Sequence, residues 1–156
     1  MNRRTFVKQS TSTLAATCLH QLSVQGEDAP LKRPLKLGLI SAATYGRPGQ
    51  IRTSGSHHGT AFATAFNGWN EEKAALFKGT FVKSGKQLAG ARVVNIWDPD
   101  QKAAKALAAA CEIEHVSTTP EECCRGVDAV LIVDDGSGAQ WKYAREPLLK
   151  GVPTFC

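Results

Sequence analysis

The sequence predicts an α/β fold: a doubly wound parallel sheet with helices on both faces. Three observations carry the prediction. Short apolar runs alternate with helix-forming stretches from Leu35 to the last residue. The runs are apolar at most positions, as strands covered on both faces are. The stretches between them open on capping residues or proline.

Leu35 to Ile40 is a compact apolar run with one glycine, read as a buried first strand. A long loop follows, Ser41 to Ser56, with Gly46, Gly49, Gly55, Arg47 and Arg52. Helix signals begin near His57 and continue through Thr60, Phe62, Ala65 and Phe66 until Gly68. Asn70 caps a second helix, expected from Glu71 to about Val82. Ala91 to Trp97 is the second strand, ended by Asp98-Pro99-Asp100. That triplet also starts a helix, with Pro99 suited to the first turn and Asp98 or Asp100 to the cap. Ala103, Ala104, Ala106, Leu107 and Ala110 form its packing face. Ile113 to Val116 is a short third strand. Thr119-Pro120-Glu121-Glu122 opens a short helix with a cap and an acidic first turn. Val127 to Val133 is a fourth strand, interrupted only by Asp128, and Asp134 to Gly138 is the loop after it. A helix then runs to Lys150, disturbed by Pro147. Gly151 ends it, and Val152 to Cys156 reads as a buried last strand. Such a strand needs neighbours, so the sequence is expected to be the front part of a longer protein whose isolated fragment self-associates.

Ahead of the first strand, Asn2-Arg3-Arg4-Thr5-Phe6-Val7-Lys8 is a twin-arginine export pattern. The weakly apolar stretch from Ser10 to Val24 is too short and too polar to span a bilayer. Residues 1–30 are therefore read as signal peptide and linker, and residues 31–156 as the folded domain. This places the mature protein in the periplasm, or otherwise outside by that route, with the twin-arginine translocase as partner during export.

Net charge is +5, unevenly spread. Leu31 to Arg92 holds ten Lys or Arg against Glu71 and Glu72, whereas Val93 to Cys156 holds six basic and ten acidic residues. A basic first half around a glycine-containing loop suits an anionic ligand. The aromatics are not interleaved with the basic residues, and no nucleic-acid-binding motif appears, so nucleic acid is not an expected partner. Of the five cysteines, Cys111, Cys123, Cys124 and Cys156 lie in the domain without zinc-like spacing, and no metal site is expected. They are read as small buried thiols.

In such a fold, ligands bind beyond the carboxyl ends of the strands, where strand order reverses. The Ser41–Ser56 loop, Asp98 and the Asp134–Gly138 loop belong there. Dinucleotide folds usually carry G-x-G-x-x-G after the first strand. In that register this chain reads Ser41-Ala42-Ala43-Thr44-Tyr45-Gly46, keeping only the third glycine among small residues. The phosphate role falls to Ser41, Ala43, Gly46 and Arg47, or to Ser54, Gly55, Ser56 and the helix N-terminus near His57; the other reading of this loop is a surface insertion. Asp98 is placed to accept hydrogen bonds from a ribose diol and to repel a 2′-phosphate, besides starting its helix. Asp134 and Asp135 are placed to bind ribose, a polyol or a metal, or to cap the next helix.

Three segments resemble the first domain of the Gfo/Idh/MocA oxidoreductases, the family of glucose–fructose oxidoreductase and inositol dehydrogenase. They are Val93-Val94-Asn95-Ile96-Trp97-Asp98-Pro99-Asp100, Val127 to Val133, and Lys150 to Cys156. The resemblance implies a Rossmann-like dinucleotide-binding domain with NAD, and less readily NADP, as cofactor. It also implies an oxidoreductase of sugars or polyols. The family continues from the last segment into Glu-Lys-Pro, whose lysine contacts nicotinamide and substrate. That lysine would lie beyond Cys156, so no catalytic residue is assigned, and a substrate domain is expected downstream, with a homo-oligomer formed through it. The chain departs from the family in its glycines, in its longer first loop, and in Asp134-Asp135-Gly136 where Thr-Pro-Asn is usual. Two other classes remain open: an exported, non-catalytic relative that keeps the fold as a ligand-binding or scaffold protein, and a nucleotide-binding enzyme such as a transferase.

Overall fold

A computed structural model of the chain describes residues 33–41, 57–77, 80–134 and 140–156. Within them, strands β1 (Leu35–Ile40), β2 (Ala91–Trp97), β3 (His115–Val116), β4 (Ala129–Ile132) and β5 (Thr154–Phe155) form one sheet. The helices between them are α1 (His57–Asn67), α2 (Glu71–Ala75), α3 (Gln101–Cys111), α4 (Pro120–Cys123) and α5 (Gln140–Leu149). Every strand pair is parallel and the order is β3-β2-β1-β4-β5. This is a Rossmann-like α/β sheet whose order reverses between β1 and β4.

The two faces hold separate cores. Leu37, Leu39, Val93, Ile96, Leu131 and Val133 pack with α1 and with Ala103, Ala104 and Leu107 of α3. Ile40, Trp97, Val130 and Ile132 pack with Cys123 of α4 and Ala144 of α5 on the other face. Strands clothed on both sides bury apolar residues on each face, which is why the runs do not alternate cleanly.

The helix starts follow local chemistry. The Asn70 side chain accepts from the Lys73 N–H, Asp100 from Lys102 and Ala103, and Thr119 from Glu122. Gly68 and Gly151 take positive φ where their helices stop.

Four boundaries differ from expectation. Helix α2 stops at Ala75 rather than near Val82. Beyond it, the Val82 N–H donates to Thr60 Oγ1, the Thr64 hydroxyl donates to the Val82 carbonyl, and the Ser84 N–H donates to Thr64 Oγ1. The segment hydrogen-bonds to the buried threonines of α1 and so does not continue as a helix. Strand β3 begins at His115, because Ile113 closes the end of α3: Glu112 is left-handed and the Ile113 N–H donates to the Ala108 carbonyl. Strand β4 is shorter than Val127 to Val133, although the Asp128 N–H donates to the Lys36 carbonyl and the Val133 N–H to that of Ile40. Strand β5 is not buried. It pairs only with β4 among the described residues and leaves Phe155 54% exposed.

One irregularity crosses the sheet. Leu37 pairs with Val93 but Gly38 pairs with Asn95, so Val94 is an extra residue in β2. The bulge turns Asn95 toward α4, where its amide donates to the Cys123 and Arg125 carbonyls. Gly38 sits under the same carbonyl. A Cβ there would lie 2.5 Å from the Cys123 oxygen, so only glycine admits α4 this closely.

Candidate functional site

The residues leaving the carboxyl ends of β1 to β4 are polar and buried. Ser41 follows β1 and is 2% exposed, Asp98 follows β2 at 0%, Ser117 follows β3 at 2%, and Asp134 lies just past β4 at 4%. Burying polar groups costs free energy unless they are hydrogen-bonded, so four at one edge form a specific constellation. The switch point between β1 and β4 lies among them.

Ser41 is held by the sheet. Its N–H donates to the Trp97 carbonyl at 3.0 Å, extending the β1–β2 ladder one residue. Its φ is +128°, a conformation that favours glycine. The chain therefore leaves β1 along a glycine path at the position of the first fingerprint glycine, with serine occupying it.

Asp98 and Asp100 divide two tasks. Asp100 caps α3, while Asp98 Oδ1 accepts from the Asp100 N–H at 2.7 Å. Asp98 thus closes a local turn at the end of β2, and the capping of α3 falls to Asp100. The Gln101 amide Nε2 donates to the carbonyls of Asp98, at 3.0 Å, and Ser117, at 3.1 Å. Trp97 Nε1 donates to the Thr118 carbonyl at 3.1 Å. Glu122 accepts from both the N–H and the hydroxyl of Thr118, and these bonds lower its pKa.

On the other side of the switch point lies a cavity of about 360 Å³. His58 and Phe62 of α1, Ile132 of β4 and Val133 after it, Gln140 of α5, and Phe155 and Cys156 line it. Phe62 and Phe155 meet with ring centroids 5.7 Å apart. The lining is mainly apolar with a few polar groups, as a site for a flat organic ring would be.

The structure thus brings Ser41, Asp98 and Asp134 to one edge. Ala43, Gly46, Arg47, Asp135 and the remaining loop positions 42–56 lie outside the described residues. Sequence reasoning missed Ser117, Gln101 and the cavity lining. Ser117 carried a usable signal, being the polar residue that directly follows the third expected strand, Ile113 to Val116. Gln101 carried none, since a glutamine in a helical first turn is usually solvated.

The four cysteines of the domain are free thiols. Burial pushes Cys111 up to about 12 and Cys124 up to about 11, raises Cys123, and raises Cys156. They are protonated at neutral pH and poor nucleophiles. Among the described residues no group of three His, Cys, Asp or Glu is placed to hold a metal ion, and no helix is long and apolar enough to cross a membrane. No known family model matches the chain, and no curated protein sequence matches it.

Proposed function

We propose that the chain carries the dinucleotide-binding domain of an NAD-dependent oxidoreductase acting on a sugar or polyol. One observation supports this reading above the others: the buried Asp98 carboxylate at the carboxyl end of β2, beside the switch point of a β3-β2-β1-β4-β5 sheet. An acid there accepts hydrogen bonds from a ribose diol and disfavours a 2′-phosphate, so NAD is favoured over NADP. Ser41 guides the chain past the pyrophosphate, and Asp134 faces the half of the crevice beyond the switch point. The apolar cavity beside it suits the second ring of the dinucleotide. The bound nicotinamide supplies the hydride chemistry, and the residues named here bind and orient it. Ala43 and Gly46 enter this proposal through the register of the glycine fingerprint, and Arg47 and Asp135 through their places in the sequence after the first and fourth strands. The same proposal includes export by the twin-arginine route to the periplasm, with the translocase as transient partner, and a homo-oligomer.

Titration calorimetry with NAD and NADP tests it. A hydrogen bond to a charged group is worth about 1.5–3 kcal/mol, roughly tenfold or more in affinity. Asp98→Ala should weaken NAD at least several-fold and NADP less. Unchanged affinities, in a protein whose parent binds well, would remove the role of Asp98. The second reading is an exported, non-catalytic relative with the fold but no cofactor. Serine in a glycine conformation at position 41 favours it, and a parent protein that binds neither nucleotide would decide for it.

A further inference from the structure

We propose that Gln101 is a positioning residue for nucleotide choice: it clamps the carboxyl ends of β2 and β3 together and so sets where the Asp98 carboxylate stands. The clamp rests on hydrogen bonds of the fold, and its consequence for specificity rests on the dinucleotide reading above.

Strand β3 is two residues long and pairs with β2 only at Asn95–His115 and Ile96–Val116. The Ser117 N–H adds one more bond, to the Ile96 carbonyl at 2.8 Å. Past that point the ladder ends and the two chains must part, β2 into α3 and β3 into α4. Gln101 bridges the gap. One amide nitrogen carries two hydrogens, and here it meets two carbonyls, those of Asp98 and Ser117. Both belong to buried residues, so losing the amide would leave two buried acceptors without this donor.

The link to Asp98 is direct. Its side chain is fixed relative to its own turn by the Asp100 N–H. Its backbone is fixed relative to the sheet by Gln101. Without the Gln101 tie the turn is held less firmly, the bond between the Asp98 carboxylate and the Asp100 N–H opens more often, and the carboxylate leaves its place. A ribose diol engaged by two bonds is sensitive to such a shift, whereas a nucleotide held through other groups is not.

The test uses Gln101→Met, which keeps length and bulk without a donor, and Gln101→Glu, which replaces the donors by acceptors. Amide hydrogen exchange is followed at Asp100, with Leu39 and Val130 as internal references in the buried sheet. Both variants should speed Asp100 exchange at least about tenfold and leave the references unchanged. In calorimetry, NAD affinity should fall about three- to tenfold while NADP changes less than about twofold. A general loss of stability would move both nucleotides and all amides together, and that pattern overturns the proposal. Unchanged Asp100 exchange overturns the clamp whatever the nucleotides do. Faster exchange with an unchanged NAD:NADP ratio overturns the role in specificity. If the parent protein binds neither nucleotide, the dinucleotide reading fails and the specificity role with it, while the exchange data still judge the clamp.

Discussion

Gly38→Ala should destabilise the fold far more than one methyl group suggests. Gly38 lies within β1, where nothing in its backbone requires glycine, so its value lies in the contact it permits. An added Cβ would stand 2.5 Å from the Cys123 carbonyl oxygen and 3.5 Å from both its carbonyl carbon and its Sγ. Carbon and oxygen in ordinary contact are about 3.3–3.6 Å apart, so α4 must retreat by roughly 1 Å. It is not free to do so. The Cys123 carbonyl accepts the Asn95 amide at 3.2 Å, and the Cys123 thiol donates to the Leu39 carbonyl at 3.5 Å. Overpacking of this kind costs about 1–3 kcal/mol, and leaving a buried amide unsatisfied about 1–3 kcal/mol. Restricting the unfolded chain returns about 0.4–1 kcal/mol. The net loss is about 1–5 kcal/mol, a large part of the roughly 5–15 kcal/mol that holds a domain together. Urea unfolding followed by circular dichroism measures it. Gly85→Ala is the control, because a Cβ there meets nothing within 4 Å. If Gly38→Ala unfolds within about 0.5 kcal/mol of the parent, the tight seat of α4 on β1 is wrong.

Three other outcomes are expected. Asp128 accepts both guanidinium nitrogens of Arg33 and the Lys36 N–H, and these bonds hold its pKa at about 2. A lowered carboxylate pKa stabilises the fold above its unfolded value of about 4 and loses that contribution as pH falls toward 2, so Asp128→Asn should flatten the fall in stability across this window; an identical slope in urea midpoints against pH would remove the ion pair from the account. At position 41, the positive φ predicts that Ser41→Gly is more stable than Ser41→Ala by about 1–2 kcal/mol, the strain of about 1–3 kcal/mol less the entropy glycine loses; equal thermal midpoints would show that no strain exists there. Finally, replacing Arg3 and Arg4 by lysine should keep the protein in the cytoplasm on cell fractionation, and undiminished export would exclude the twin-arginine route.

The sequence by itself determined the order of elements and most of their starting points. Asn70, Asp100 and Thr119 cap the helices that follow them, because a cap satisfies backbone donors only two or three residues away. Asp98 and Asp134 were legible as strand-end acids for the same reason: an apolar run that stops at a carboxylate marks its own edge. Other features belong to the tertiary structure alone. In runs that bury apolar residues on both faces, no clean alternation reveals which residue faces which layer, so the Val94 bulge and the pairing of Gly38 with Asn95 were hidden. Helix α2 was overextended because the hydroxyls that end it, Thr60 and Thr64, lie on another helix about twenty residues earlier. Gln101 carries no local signal of its role, which exists only because β3 brings Ser117 within reach of its amide. Phe155 looked like core until β5 proved to be paired on one side only among the described residues. Local signals act over one helical turn and survive in the sequence, whereas register, close approach and side-chain clamps depend on which distant segment arrives alongside, and only the assembled sheet decides that.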